Sequence, residues 1–91
     1  MTVRVKFFAF FRQLFGVDEM EVDLGQSADV RTLLEKLCDS PLRREQIFDG
    51  AALKSQVVVM KNGTSVLSLE RLGTPLQQGD TVAVFPFLGG G

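Results

Sequence analysis

Apolar residues in the stretch DVRTLLEKLCDSP recur at helical spacing, while the segments before and after it recur at the spacing of strands. Val30, Leu33, Leu34, Leu37 and Cys38 occupy i, i+3, i+4, i+7 and i+8, a single stripe on one helix face. Asp29 precedes the stripe as an N-cap, and Ser40-Pro41 predicts its exit. Upstream, Val3 to Phe7 alternate with Arg4 and Lys6, and Glu19 to Leu24 place Met20, Val22 and Leu24 on one side. These are two half-buried strands. The connection FAFFRQLFG holds Phe10, Phe11, Leu14 and Phe15 at near-helical spacing and predicts one or two helical turns stopped by Gly16. Phe7, Phe10 and Phe15 are expected in the core.

Downstream, LRREQIF suggests a further helical turn with Leu42 and Phe48 packing down, and DGAALKS reads as loop. Gln56 to Lys61 is a valine-rich strand, Asn62-Gly63 is a tight-turn signal, and Thr64 to Leu69 returns as a weaker strand. The turn-rich LERLGTPLQQGD is expected to plug the core with Leu69, Leu72 and Leu76. Thr81 to Phe85 is the last strand, with Val82 and Val84 inward and Ala83 and Phe85 outward. A hairpin, a helix, then more strands predicts an α+β fold, a ubiquitin-like β-grasp roll. Its mixed sheet has four to five strands with one main helix packed across it. Residues 1–88 form the domain and 89–91 a flexible glycine tail.

Composition restricts the chemistry. The chain has 91 residues, one Cys, and no His, Trp or Tyr. Ser–His and Cys–His catalysis and His-based metal sites are therefore closed to it, and no internal enzyme site is expected. Cys38 lies on the helix stripe and reads as a small buried apolar residue in a reducing, cytoplasmic setting. Ten basic residues against eleven acidic ones argue against a nucleic-acid partner. No apolar run approaches the roughly 20 residues of a membrane span.

The segment VFPFLGGG remains. A phosphate-cradling glycine loop requires a following helix, and none follows here. Pro86 cannot continue a ladder and is expected to stop the strand and direct the chain outward. Pro86 to Gly91 extend roughly 20 Å, and glycines lacking Cβ atoms pass through a narrow channel. What they deliver is the α-carboxylate of Gly91. That group is ionised at neutral pH, with a reference pKa of about 3.3–3.7. It becomes an acyl donor only when a partner enzyme activates it, most simply by adenylation with ATP. Phe8, Phe85 and Phe87 lie on or beyond strands expected to be neighbours, with Val58 or Met60 beside them, and gathered exposed aromatics mark an interface.

The stretches VKFFAFFRQLFG and TPLQQGDTVAVFPFLGGG resemble the opening and closing segments of the small sulfur-carrier subunit of molybdopterin synthase and of thiamine sulfur carriers. The resemblance implies that the last strand lies beside the first at the middle of the sheet. It also implies a non-catalytic carrier. An adenylating enzyme of the ubiquitin-activating type would activate Gly91, and a sulfur donor enzyme would convert it to a thiocarboxylate. The sulfur would then pass to an acceptor in a large synthase subunit. No cofactor is held stably; ATP is consumed by the activating enzyme. Carried over by position, Gly91 is the thiocarboxylate residue, Gly90 and Gly89 belong to the tail, and Phe8, Phe85, Phe87 and Leu88 are the docking residues. Where the family often shows two prolines before diglycine, this chain has Pro86-Phe87-Leu88 and a third glycine. Molybdopterin or tungstopterin synthesis is the favoured pathway, ahead of thiamine or cysteine synthesis. A modifier that joins Gly91 to target lysines, or an interaction domain with an inert tail, are the other readings.

Overall fold

The structure, a computed structural model, describes residues 1–87. Strand β1 (Thr2–Phe7) buries Val3, Val5 and Phe7 and exposes Arg4 and Lys6, as its alternation predicts. It pairs antiparallel with β2 (Glu19–Asp23), from Thr2↔Asp23 to Lys6↔Glu19. Between them, α1 (Phe10–Phe15) ends at Gly16, whose φ of 77° gives the left-handed stop. A short strand β3 (Ala28–Asp29) leads into helix α2 (Val30–Leu37). The Asp29 carboxylate accepts from Thr32 N–H at 2.9 Å, satisfying one of the donors that a helix start leaves free. The helix buries Val30, Leu33, Leu34 and Leu37, the predicted stripe.

Ser40-Pro41 does end this helix, and it also begins another, α3 (Pro41–Ile47). Ser40 Oγ accepts from Arg43 N–H at 3.2 Å, and Pro41 sits in the first turn, where its missing N–H costs nothing. Leu42, expected to pack down, lies on the solvent side of α3 because the buried residue of this helix is Ile47. Phe48 is buried as expected. The expected loop after it contains a two-stranded ladder of β4 (Phe48–Asp49) and β5 (Ala52–Leu53), reversed at Gly50.

Strand β6 (Val57–Lys61) turns at Asn62-Gly63 into β7 (Thr64–Ser65). The expected strand to Leu69 stops there. Ser65 Oγ caps a 3-10 turn over Val66–Ser68, which puts Val66 into the core. Leu69 follows at a non-helical ψ of −128° and stays exposed, so Leu72 and Leu76 plug the core without it. After a second 3-10 turn (Arg71–Gly73), β8 (Pro75–Leu76) pairs with β3, and β9 (Thr81–Pro86) completes the main sheet.

The sheet order is β2-β1-β9-β6-β7, with β9 parallel to β1 and antiparallel to β6. The last strand thus lies beside the first at the centre of a five-stranded mixed sheet, with the helices on one face. This is the β-grasp arrangement. One further core expectation needs correction. Phe10 is 45% exposed, because the six-residue α1 turns Phe11 inward and has no second face against the core. Met20 shares the face of Val22, as expected, and stays exposed because on edge strand β2 only Val5 of β1 flanks it in the sheet.

Candidate functional site

Two antiparallel hydrogen bonds fix the orientation of β9. Asn62 N–H donates to Thr81 O at 2.8 Å and Phe87 N–H to Gln56 O at 2.7 Å. Odd-numbered residues at the end of β9 therefore direct their backbone groups at β6, and even-numbered ones at β1. Phe8 N–H donating to Val84 O at 3.1 Å agrees. Pro86 consequently points its missing donor at the β1 side, where the chain has already left the sheet at Ala9. The expectation that Pro86 stops the strand holds only on that side. Pairing with β6 runs through Val57↔Pro86 to Phe87.

The register also assembles the outward face. Phe85 stands opposite Val58, and Ala83 opposite Met60, all half-buried. Phe8 meets Phe85 edge-on, with ring centroids 6.0 Å apart and an interplanar angle of 88°, a favourable aromatic geometry. Phe8 is 41% exposed and Phe87 63% exposed. The structure thus brings Phe8 and Phe85 into contact and leaves Phe87 open at the end of the same strand. Leu88, Gly89, Gly90 and Gly91 lie outside the described residues. On the β2 side the apolar band gives way to Arg4, which bonds Glu19 at 3.2 Å and Glu21 at 3.0 Å. A hollow of about 270 Å³ beside Phe8 is lined by Lys6, Arg12, Asp18 and Glu19 as well as Phe7 and Phe8.

At the other end of β9, the Gly79-Asp80 pair forms a staple. Asp80 accepts from Gln77 N–H at 2.8 Å and from Asn62 Nδ2 at 2.9 Å, and Lys61 Nζ lies 3.6 Å away. Asn62 in turn accepts from Thr81 N–H at 2.9 Å. Burial works to raise the Asp80 pKa, but the Asn62 amide, Gln77 N–H and Lys61 ammonium outweigh it. The carboxyl is held below its ordinary value. The β6–β7 turn and the start of β9 are locked together by one buried carboxylate.

Cys38 is buried, and desolvation pushes its thiol pKa up to about 11, which keeps it protonated and unreactive. Among the described residues no cluster of three or more His, Cys, Asp or Glu side chains is arranged to hold a metal. None of the described helices is long and apolar enough to cross a membrane. Sequence reasoning missed a groove of about 870 Å³ bounded by Leu53, Val57, Val66 and Leu72, with Phe87 at its edge. The signal for it was hidden in 3-10 turns that read only as turn-rich sequence.

Comparison with known proteins agrees with this architecture. The family model described as the ThiS family matches residues 5–91. Small archaeal modifier protein 3 of Haloferax volcanii is 33% identical over 99 aligned residues, covering the whole of both chains. The crystal structure of SAMP1 from Haloferax volcanii is similar with a TM-score of 0.81, at 26% identity and full coverage of both chains. A Pyrococcus furiosus structure assigned as molybdopterin converting factor, subunit 1, has a TM-score of 0.73 at 36% identity. That match covers 94% of this chain and 97% of the other. The chain belongs to the ThiS family, within the ubiquitin-like group of small sulfur carriers and protein modifiers.

Proposed function

We propose that the chain is a sulfur carrier whose Gly91 carboxylate is adenylated and then converted to a thiocarboxylate. The observation that carries this reading is the family match running through residue 91, on a chain whose central strand leads into the glycines. The carboxylate oxygen attacks the α-phosphorus of ATP on the activating enzyme, and pyrophosphate leaves. The sulfur of a persulfide donor attacks the acyl carbon and displaces AMP. A thiol then cleaves the resulting acyl disulfide, leaving the thiocarboxylate. The thiocarboxylate sulfur then displaces a leaving group from the acceptor, and water cleaves the acyl–sulfur bond, leaving the sulfur on the acceptor and restoring the carboxylate. No step needs a catalytic side chain from this protein, in keeping with a sequence that lacks His. Phe8, Phe85, Phe87 and Leu88 dock the partners, while Gly89 and Gly90 line up the terminal residue in a narrow channel.

Molybdopterin synthesis is the favoured pathway, supported by the similarity to the Pyrococcus furiosus protein. A second reading is conjugation of Gly91 to lysines of target proteins, favoured by the similarity to a protein named as a modifier. The chain lacking Gly90 and Gly91 tests both. It should fold normally, fail to restore cofactor synthesis in cells deleted for the native gene, and form no protein conjugates. Restoration by the truncated chain would refute the carrier reading, and conjugates formed by the truncated chain would refute the modifier reading. Conjugates formed by the native chain, with cofactor synthesis normal in the deleted cells, would select the modifier.

A further inference from the structure

Strand β7 covers only Met60 and Lys61 of β6, so Val57 to Val59 have no strand along their far edge. The groove of about 870 Å³ opens there, between the segment that carries Lys54 and the two 3-10 turns. Leu53, Val57, Val59, Val66 and Leu72 make its apolar lining. Arg31, Lys54 and Arg71 also line it, against Asp49 and Glu70, three cations to two anions. Arg31 donates to Ala51 O at 2.8 Å. Lys54, Arg71, Asp49 and Glu70 have no ion-pair partner among the described residues. The groove therefore keeps one net positive charge. Arg71 adopts a φ of 55°, a region that few residues other than glycine enter. The buried Thr74 hydroxyl holds it there, donating to Arg71 O at 2.7 Å and accepting from Glu70 N–H at 3.0 Å. The Arg71 backbone is thereby fixed at the groove wall.

Phe87 lines the same groove, with its N–H bonded to Gln56 O at 2.7 Å beside the start of β6. After it come Leu88 and three glycines. These four residues extend roughly 13–14 Å. Two strand spacings, from β9 across β6 to the groove, come to about 10 Å, so the segment is long enough to reach it. It carries one large apolar side chain and, in the carrier reading, one terminal carboxylate. Those match an apolar lining with a surplus cation. A short tethered segment also meets such a site at millimolar effective concentration, ahead of any dilute peptide from a partner.

We propose that in the unpartnered chain residues 88–91 fold back into this groove, with Leu88 against Val66 and Leu72 and the Gly91 carboxylate beside Lys54 and Arg71. Held so, Leu88 is withheld from partners, and an enzyme that takes the tail must first draw it out. The Leu88 contact needs nothing from the carrier reading; the carboxylate contact takes from it only that Gly91 is the terminus. The test is methyl NMR on the full chain at low concentration, without any enzyme. NOEs are expected from the Leu88 methyls to those of Val66 or Leu72. Leu88→Ser should lower the ratio of docked to free tail about tenfold or more, the scale of losing one buried leucine side chain. The Leu53, Val66 and Leu72 methyl signals should then move, while those of Val3 and Leu33 stay in place. The double variant Lys54→Gln/Arg71→Gln should lower the same ratio about two- to fivefold, the scale of an exposed ion pair. Its groove signals should shift part of the way towards those of Leu88→Ser. Absence of the NOEs, or groove signals unmoved by Leu88→Ser, overturns the proposal. NOEs found only between differently labelled copies assign the groove to a second copy's tail and overturn it as well. Groove signals unmoved by the double variant overturn the carboxylate contact. Loss of sulfur transfer would leave these spectra unchanged, so failure of the carrier reading is told apart from failure of this one.

Discussion

Replacing Asp80 by Asn removes one charge and almost no volume, so it isolates the staple that seats β9. The carboxylate accepts from two donors, Asn62 Nδ2 and Gln77 N–H, beside the Lys61 ammonium. An asparagine offers one acceptor, and its amide N–H₂ must face the other donor. The loss is one charge-assisted hydrogen bond, with a donor left unpaired. The Asp80 side chain is only 10% exposed, so water compensates little. About 2–3 kcal/mol is expected. For a domain of this size that lowers the melting temperature by about 10–20 °C. The pH dependence carries a sign. The folded Asp80 pKa lies below the unfolded value, so its stabilisation is fully present above an unfolded pKa of about 3.9. It disappears as pH falls through the folded value. Urea denaturation of both chains from neutral pH into acid should therefore show a gap that begins to narrow as pH falls below the unfolded value. An Asp80→Asn chain as stable as the native one at neutral pH, or a gap that does not narrow in acid, would refute the staple.

Other perturbations separate core from surface. Leu33→Ala, at a fully buried position of α2, should cost about 2–5 kcal/mol in chemical denaturation. Phe85→Glu should weaken binding to the activating enzyme and cost about 1 kcal/mol of stability, because it breaks the edge-on pair with Phe8; complete unfolding would place Phe85 in the core instead. Cys38 should resist alkylation at mildly alkaline pH until denaturant is added, since its pKa of about 11 and its burial both withhold the thiolate; rapid labelling of the folded chain would contradict this.

The fold was legible wherever one face is buried along a whole element. The α2 stripe and the alternation in β1 and β9 each admit one orientation, and the structure adopts it. Legibility failed where an element is short. In α1 and α3, each under two turns, apolar residues outnumber the positions that face inward, and Phe10 and Leu42 are left outside. Leu69 was misassigned because a single 3-10 turn leaves no periodicity to read, and Val66 takes the core position. The contact between Phe8 and Phe85 depends on β1 and β9 being adjacent, a long-range pairing that spacing cannot show and family resemblance supplied. Ala9, at φ 52° and ψ −126°, gave no sequence signal for its turn, since alanine is not a residue that marks a positive-φ position.

The central claim is that Gly91 becomes an acyl donor and then a sulfur carrier. Intact-mass spectrometry measures this directly after incubation of the chain with its activating enzyme, ATP and a persulfide donor, followed by a thiol. The account predicts a mass gain equal to replacement of one oxygen by sulfur, mapped to Gly91 and absent without ATP. An unchanged mass while the same enzyme consumes ATP with another carrier would contradict it.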